Sequence, residues 1–476
     1  MYKKFLVVFF IPLVLACPIQ LRAEITPDEQ QLISKINTPR MMSTIERLCS
    51  DEFNGRRAGS PEHYFAADYL ASKFAEYGLA QAPGMDGYKQ PFTMKYALIR
   101  SKDENKATLS YGIPSRIRTF AYRGFNGRGG LNFNSEVVFV GYGIHDPDAG
   151  YDDYAGLDVN GKIVLWLSGQ PKGVTLKKPV TGFHKIAAAY QHGAVACLMC
   201  KPAEIKDEWG TNIGLSGSIA DFPYIAVDKK IASEIMGCDV GKLDASQTPA
   251  GKLGAKVYLQ VTQVCDPERK TYNIVGMIPG SDPEKADEII MIGAHYDHLG
   301  DTPNGEIFRG ADDNASGISV ILEVMNAIKE SCLTPRRNIV FASWTGEEAG
   351  LVGSNYFGAN PPFPLDRIVS NIELDMVGCG TPGAFMTTGA SAYPEHYRRL
   401  ETSASDLNLV LHADVVAGAS DHLAFTRKKV PTSLIYSEGE HPNFHTIRDT
   451  PDKIDRVVLG SAARLVVLAI WRAANG

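Results

Sequence analysis

The sequence predicts an α/β protein in which helices flank a mostly parallel central sheet and a small β-rich module is inserted into the chain. Three observations support this reading. From Tyr272 onward, apolar strand-like runs alternate with segments of helical period, as in a parallel sheet covered by helices. Between Glu136 and about Val264, short strands and glycine turns follow a separate pattern. The 476 residues, 44% hydrophobic and 21% charged, are enough to fill more than one core. The expected divisions are 1–23 as an export signal, 24–110 as the first part of the main domain, 111–264 as the insert, and 265–476 as the rest of the main domain.

At the N-terminus, Lys3-Lys4 precede the apolar run Phe5 to Ala16, and Leu21-Arg22-Ala23 offers a cleavage site before Glu24. The run is too short for a stable membrane span. Val14-Leu15-Ala16-Cys17 also resembles a bacterial lipoprotein box, so membrane attachment is expected only through a lipid on Cys17. Either route takes the chain out of the cytoplasm, to the periplasm or beyond. Removing residues 1–23 takes away Lys3, Lys4 and Arg22 and no acid, so the formal charge moves from −6 to −9. An acidic chain without basic runs has no footprint for nucleic acid.

Ser43 to Leu79 reads as helix, turn, helix. Ser60-Pro61-Glu62 is a cap with proline at the first helical position, followed by Ala66, Tyr69, Leu70, Phe74 and Tyr77 at helical spacing. From Met94 to Asn134 the chain changes to short strands and turns such as Gly124 to Gly130. In the insert, Val137–Val140, Lys162–Trp166 and Ala194–Met199 are expected strands, with a helix from about His184 to His192. Cys197 and Cys200 have the spacing of a redox or zinc pair, but strand geometry sends them to opposite faces, so both are read as buried structural thiols. The block shows no ligand cluster, and His184 and His192 are read as surface or packing residues.

In the last part, Val275–Ile278, Glu288–Ile292, Asn338–Trp344, Ile368–Leu374 and Pro431–Tyr436 are expected strands. Ser316–Glu330 is a helix with Ile318, Ile321, Leu322, Met325 and Ile328 on one apolar face. A final helix is expected from the cap Thr450-Pro451, with Val457, Val458, Leu465 and Leu468 as its apolar stripe.

Open α/β sheets place their sites beyond the carboxyl ends of the strands. The residues falling there are His295, Asp312 on the next loop, Glu347-Glu348, Asp375 and His445. Two imidazoles and several carboxylates without a thiolate suit zinc or a similar divalent ion, and the acids suffice for two ions sharing a bridge. One acid must stay outside the metal shell to take a proton from water. The neighbours Glu347 and Glu348 offer one of each.

The segments Gly293-Ala-His-Tyr-Asp-His298, Gly310-Ala-Asp-Asp-Asn-Ala-Ser-Gly317, Thr345-Gly-Glu-Glu-Ala-Gly-Leu-Val-Gly-Ser354, Leu374-Asp-Met376 and His445-Thr-Ile-Arg-Asp-Thr450 resemble the double-zinc aminopeptidases. The insert segments Val140-Gly-Tyr-Gly143, Asp152-Asp-Tyr-Ala-Gly-Leu-Asp-Val159 and Gly161-Lys-Ile-Val-Leu165 resemble the protease-associated domain that several secreted peptidases carry. The resemblance implies the zinc-exopeptidase, phosphorylase/hydrolase-like fold and two zinc ions per chain. It implies that His295 and Asp375 bind one zinc, that Glu348 and His445 bind the other, and that Asp312 bridges them. Glu347 is then the general base, Asp297 orients His295, and the bond Asp312-Asp313 is cis.

The activity implied is removal of N-terminal residues from peptide substrates by a metal-activated water. Asp421 and His422, in a loop resembling one that lines the pocket of relatives, and Phe444 are candidate substrate-binding residues. Some relatives carry tyrosine where Phe444 stands, so its hydroxyl is missing here. His298, His441 and Asp313 are read as local structure. A glutaminyl cyclase or a carboxypeptidase of the same fold is the alternative enzyme, and a ligand-stripped receptor the alternative from another class.

Overall fold

The computed structural model describes residues 25–98, 106–121, 130–171, 173–176, 182–201, 222–240, 251, 253–262, 264–302, 305–413 and 420–476. The expected signal, Cys17 and the turn residues 124–129 lie outside them. Two large sheets, each with its own core, account for most of the described chain.

The first sheet has four parallel strands at its centre, in the order Asn338–Trp344, Ile289–His295, Ile368–Leu374 and Thr432–Ser437. Antiparallel strands flank them: Val264–Ile278 beside Asn338–Trp344, and Ala384–Thr387 beside Thr432–Ser437. The Ile289–His295 strand is buried at every position, as a strand covered on both faces must be. Gly293 is obligatory in it, because a Cβ there would run into the Glu373 carboxylate and the Trp344 indole nitrogen.

Helix Gly317–Ser331 carries the expected apolar face, but it is buried nearly all round. The reason is a second layer: the N-terminal helices Pro27–Lys35 and Thr38–Leu48 and the C-terminal helix pack around it. Its one buried acid, Glu323, is matched by Arg40, whose Nε donates to Oε2 at 2.7 Å and Nη2 to Oε1 at 2.8 Å. Helix Pro61–Glu76 starts as expected, with the Ser60 hydroxyl accepting from the His63 N–H.

The C-terminal helix departs from expectation. Pro451–Lys453 is an isolated 3₁₀ turn, and the helix proper, Arg456–Asn475, is capped by Asp455, which accepts from Val457 and Val458. Val457 is 62% exposed, so the expected stripe loses its first member. The helix is long and apolar enough to cross a membrane, yet it is a core element with 83% of its apolar window buried.

The second sheet runs in the order Tyr224–Asp228, Ala196–Lys201, Ile163–Leu167, Leu131–Phe139, Leu253–Thr262, Lys106–Tyr111, Arg116–Ala121. Alternate residues serve opposite faces: Ile163 and Leu165 join the core under helix Lys229–Met236, while Val164 and Trp166 join the one under helix Gly182–Gln191. Cys200 and Cys197 divide in the same way, and both are free buried thiols. The sheet begins at Lys106, ahead of the expected boundary at 111, because Lys106–Tyr111 pairs with Leu253–Thr262.

Candidate metal centre

The four parallel strands end on one side of the sheet, and each end delivers part of a single cluster. His295 is the last residue of its strand, and Asp375 follows Leu374 directly. Glu347 and Glu348 lie just beyond Trp344, where the Asp297 carboxylate accepts from the Glu347 N–H at 3.2 Å. Thr345, below them, is held by buried His63, whose Nε2 is 2.6 Å from its hydroxyl. His445 comes after Ser437 on a turn that places it at φ 54°, a left-handed conformation rare for a residue with a side chain.

The donors fall into two groups that share one carboxylate. In the first, His295 Nε2 is 3.3 Å from Asp313 Oδ1 and 3.3 Å from Asp375 Oδ1. His295 Nδ1 lies 3.2 Å from the Asp297 carbonyl oxygen, to which its N–H donates, so Nε2 is the nitrogen turned to the two carboxylates. In the second, His445 Nε2 is 3.1 Å from both Asp313 Oδ2 and Glu348 Oε2, and His298 Nδ1 is 2.8 Å from Glu348 Oε1. Asp313 therefore turns one oxygen to each group.

This geometry corrects the reading of the Asp-Asp pair. Asp313, not Asp312, stands between the groups, and the cis bond is Asp313-Asn314. The Asp449 carboxylate accepts from both Asp312 N and Asp313 N, at 2.9 and 3.1 Å, and so fixes the loop. Asp312 is spent on structure: its Oδ1 accepts from Gly378 N at 2.9 Å, and its Oδ2 is 2.6 Å from His441 Nδ1. His298 and Asp313, read as local structure, belong to the cluster, while His441 supports Asp312. Asp297 also acts differently from expectation. Its main-chain oxygen orients His295, while its carboxylate, 3.8 Å from Nδ1, holds the Glu347 backbone.

The charge balance asks for cations. Asp297, Asp313, Glu347, Glu348, Asp375 and Asp421 outnumber His295, His298 and His445, and all are buried or half-buried. Burial, opposed by His295, pushes Glu347 well above the usual carboxylate range, with Glu348 and Asp375 adding to the rise. Burial likewise pushes Asp297 up to about 7. Against its burial, His295 is raised by Asp375 and Glu347. Glu348 Oε1 and His298 Nδ1 lie 2.8 Å apart. With Asp313 they form a group of donor atoms close enough together to share one ion. An imidazole–carboxylate set of this kind fits zinc.

Of the three expected substrate-binding residues, Phe444 is 48% exposed and stacks on His445 with ring centroids 3.8 Å apart. Asp421 and His422 are buried. Burial, opposed by His295, lifts the Asp421 carboxyl to about 7. Burial holds His422 down to about 4. A buried acid that the sequence did not single out, Glu373, accepts from Trp344 Nε1 at 2.8 Å and from Asn371 Nδ2 at 3.1 Å.

The insert carries a surprise. His145, Asp152 and His192 converge so that one donor atom from each lies within 4.8 Å of the others. The expectation of no ligand cluster there is overturned, since fold geometry joins a hairpin to a helix end forty residues later.

Residues 273–470 match the model of Peptidase family M28. A curated relative, the leupeptin-inactivating enzyme 1 of Streptomyces exfoliatus, is 26% identical over 251 residues, which is 48% of this chain and 54% of that protein. Alignments with the first curated relatives span between 54% and 63% of their lengths. The aminopeptidase from Aneurinibacillus sp. strain AM-1 shares the fold at a TM-score of 0.65, with 24% identity over 94% of this chain and 96% of that one. A zinc aminopeptidase from Bacillus subtilis does so at 0.58, with 21% identity, 92% of this chain and 96% of that one.

Proposed function

We propose that this chain, in which residues 273–470 form a Peptidase family M28 domain, is an exported zinc aminopeptidase working with two ions. The observation that carries this reading is Asp313, whose two carboxylate oxygens are divided between two imidazole–carboxylate groups. His295, Asp375 and Asp313 would hold one zinc; Glu348, His445 and Asp313 would hold the other, with His298 beside it. Bound there, the pair would supply Lewis-acid polarisation of a peptide carbonyl and a lowered pKa for water.

The chain's own groups do the rest. Glu347 takes the proton of the attacking water and returns it to the leaving amine. Its burial among acids favours the protonated form, which suits the second half of that cycle. Asp297 fixes Glu347 through the backbone N–H and fixes His295 through its own carbonyl. Phe444, exposed and stacked on His445, offers an apolar wall to a peptide side chain, and it brings no hydroxyl to an oxyanion. Peptides are the proposed substrates, and the insert, read as a protease-associated domain, shapes access to the centre. The Lys3-Lys4 and Phe5–Ala16 pattern supports export.

A panel of aminoacyl and N-blocked chromogenic amides, with and without a chelator, tests this. Release from free-amine substrates that stops on chelation and returns with zinc is expected. Release confined to blocked substrates, or indifferent to chelation, would refute it.

A further inference from the structure

We propose that His145, Asp152 and His192 form a separate binding site for a divalent zinc-class ion on the insert. His145 and Asp152 are direct partners across a two-residue antiparallel ladder, His145–Asp146 against Tyr151–Asp152, so their side chains rise on one face. His192 follows the last turn of helix Gly182–Gln191, its N–H still donating to the Ala188 carbonyl at 3.0 Å. The rings of His145 and His192 stand edge to face, with centroids 5.0 Å apart.

Three features mark this as a ligand set and not a chance meeting of polar groups. His145 Nδ1 is shut off from solvent and lies 3.0 Å from Asp152 Oδ1, yet it makes no hydrogen bond. Zinc–nitrogen and zinc–oxygen bonds of about 2.0–2.2 Å place neighbouring ligands of a tetrahedral ion ~3.3 Å apart, close to this spacing. Two of the three donors are also held in place by a group behind them. The Asp152 oxygen accepts from Tyr154 N–H at 2.9 Å, and the Tyr154 ring lies flat on His192, 4.5 Å between centroids and 3° between planes.

The hairpin itself is pinned by the next residue. The Asp153 carboxylate accepts from Tyr142 N and Ile144 N, both at 3.0 Å, and from the Tyr151 hydroxyl at 2.9 Å. Gly193, at φ +85°, turns the chain out of the helix where a Cβ would meet the Asn160 side chain.

The donors come from two elements that only the fold brings together, so a bound ion would clip the hairpin to the helix end. Both side chains of the hairpin pair are partly exposed, 32% for His145 and 26% for Asp152, so the cluster lies at the surface with Nδ1 turned inward. Three protein donors leave a tetrahedral ion one open position, for water or another donor.

The test is a zinc count by elemental analysis on the full chain, after loading with zinc and removal of free metal. Asp152→Asn, close to isosteric and still an acceptor for Tyr154 N–H, and the double variant His145→Ala/His192→Ala are each expected to carry one zinc fewer than the unchanged chain. Both are expected to keep aminoacyl amide hydrolysis within about twofold, which also shows that they are folded. In a second arm, cobalt(II) is titrated into the Asp313→Ala chain, and one equivalent with visible absorption that Asp152→Asn abolishes is expected. An unchanged zinc count in both variants, or a cobalt response that Asp152→Asn leaves intact, overturns the proposal. Because the readout is a difference between chains, it holds whatever number of ions the strand-end centre takes.

Discussion

The two histidine–carboxylate clusters of this molecule are built on different principles. The strand-end centre draws its groups from the ends of four parallel strands and one loop, and keeps His295, Asp297, His298 and Asp313 buried. Acids exceed imidazoles there, and one of them, Glu347, is held beside the donors by the Asp297 carboxylate. The insert cluster has two imidazoles and one carboxylate, half-exposed, on a short hairpin and a helix end. A centre for chemistry needs a surplus acid to move protons and a rigid frame to aim it. A clip needs only enough donors to hold an ion, and His145, Asp152 and His192 offer three.

The largest expected effects come from removing acids of the strand-end centre. Asp313→Ala is expected to abolish metal retention there and lower kcat/KM by more than about 10³-fold, beyond the roughly 10–100-fold typical of groups behind the ligands. Asp312→Asn, whose carboxylate meets Gly378 and His441 and not the donor groups, is expected to fall within that smaller range while the centre keeps its metal. Equal losses from the two would mean that the Asp-Asp pair is misassigned. Glu347→Gln is expected to lower kcat by roughly 10²–10⁴-fold with metal content unchanged. Loss of zinc from that variant would make Glu347 a ligand and remove the proposed base.

The register of Asp312 and Asp313 shows where the sequence stops being legible. The strands, their order along the chain and the acids at their ends follow from apolar runs and turn residues, and so does the α/β layer. Which of two adjacent carboxylates turns inward is decided by Asp449, far along the chain, accepting from both backbone N–H groups. No spacing rule contains that contact. His298 was hidden for a related reason: three residues past His295 it has left the strand, and only the return of the chain at Arg56, whose carbonyl accepts from His298 N at 3.3 Å, turns it back. The insert cluster was invisible because a two-residue ladder carries no periodicity. The late start of the last helix follows from Asp455 out-competing Thr450 as a cap.

A smaller effect separates the regions by pH. His63 is fully buried beneath Thr345, and burial, with Arg56 adding, holds it down to about 3. Its unfolded pKa is near 6.5, so between these values the unfolded chain binds the extra proton. Stability is therefore intact above about pH 6.5 and falls as the pH drops toward 3, at about 1.4 kcal/mol per unit from this group. Urea unfolding at pH 7.5 and pH 5 is expected to show the unchanged chain losing about 2 kcal/mol more than His63→Gln. An identical loss in both would mean that His63 is not buried neutral.

The smallest expected effects sit at two helix caps, one in each region, and ask whether the regions are stabilised separately. Asp228 Oδ1 accepts from Ile231 N at 2.8 Å at the start of Lys229–Met236, the helix that covers one face of the insert sheet. Asp455 Oδ1 accepts from Val457 N at 2.7 Å and Val458 N at 3.2 Å, starting the helix that closes the main core. Each change to alanine is expected to cost roughly 1 kcal/mol. Their reach differs, because the two cores are filled by different strands and helices. In Asp228→Ala, amide exchange is expected to quicken in 229–236 and the adjoining insert strands, with Ile289–His295 and Gly317–Ser331 unchanged. In Asp455→Ala the pattern is expected to reverse. If either variant quickens exchange in both sheets alike, the two layers open as one cooperative unit, and an ion on the second sheet's hairpin would then stabilise the strand-end centre as well.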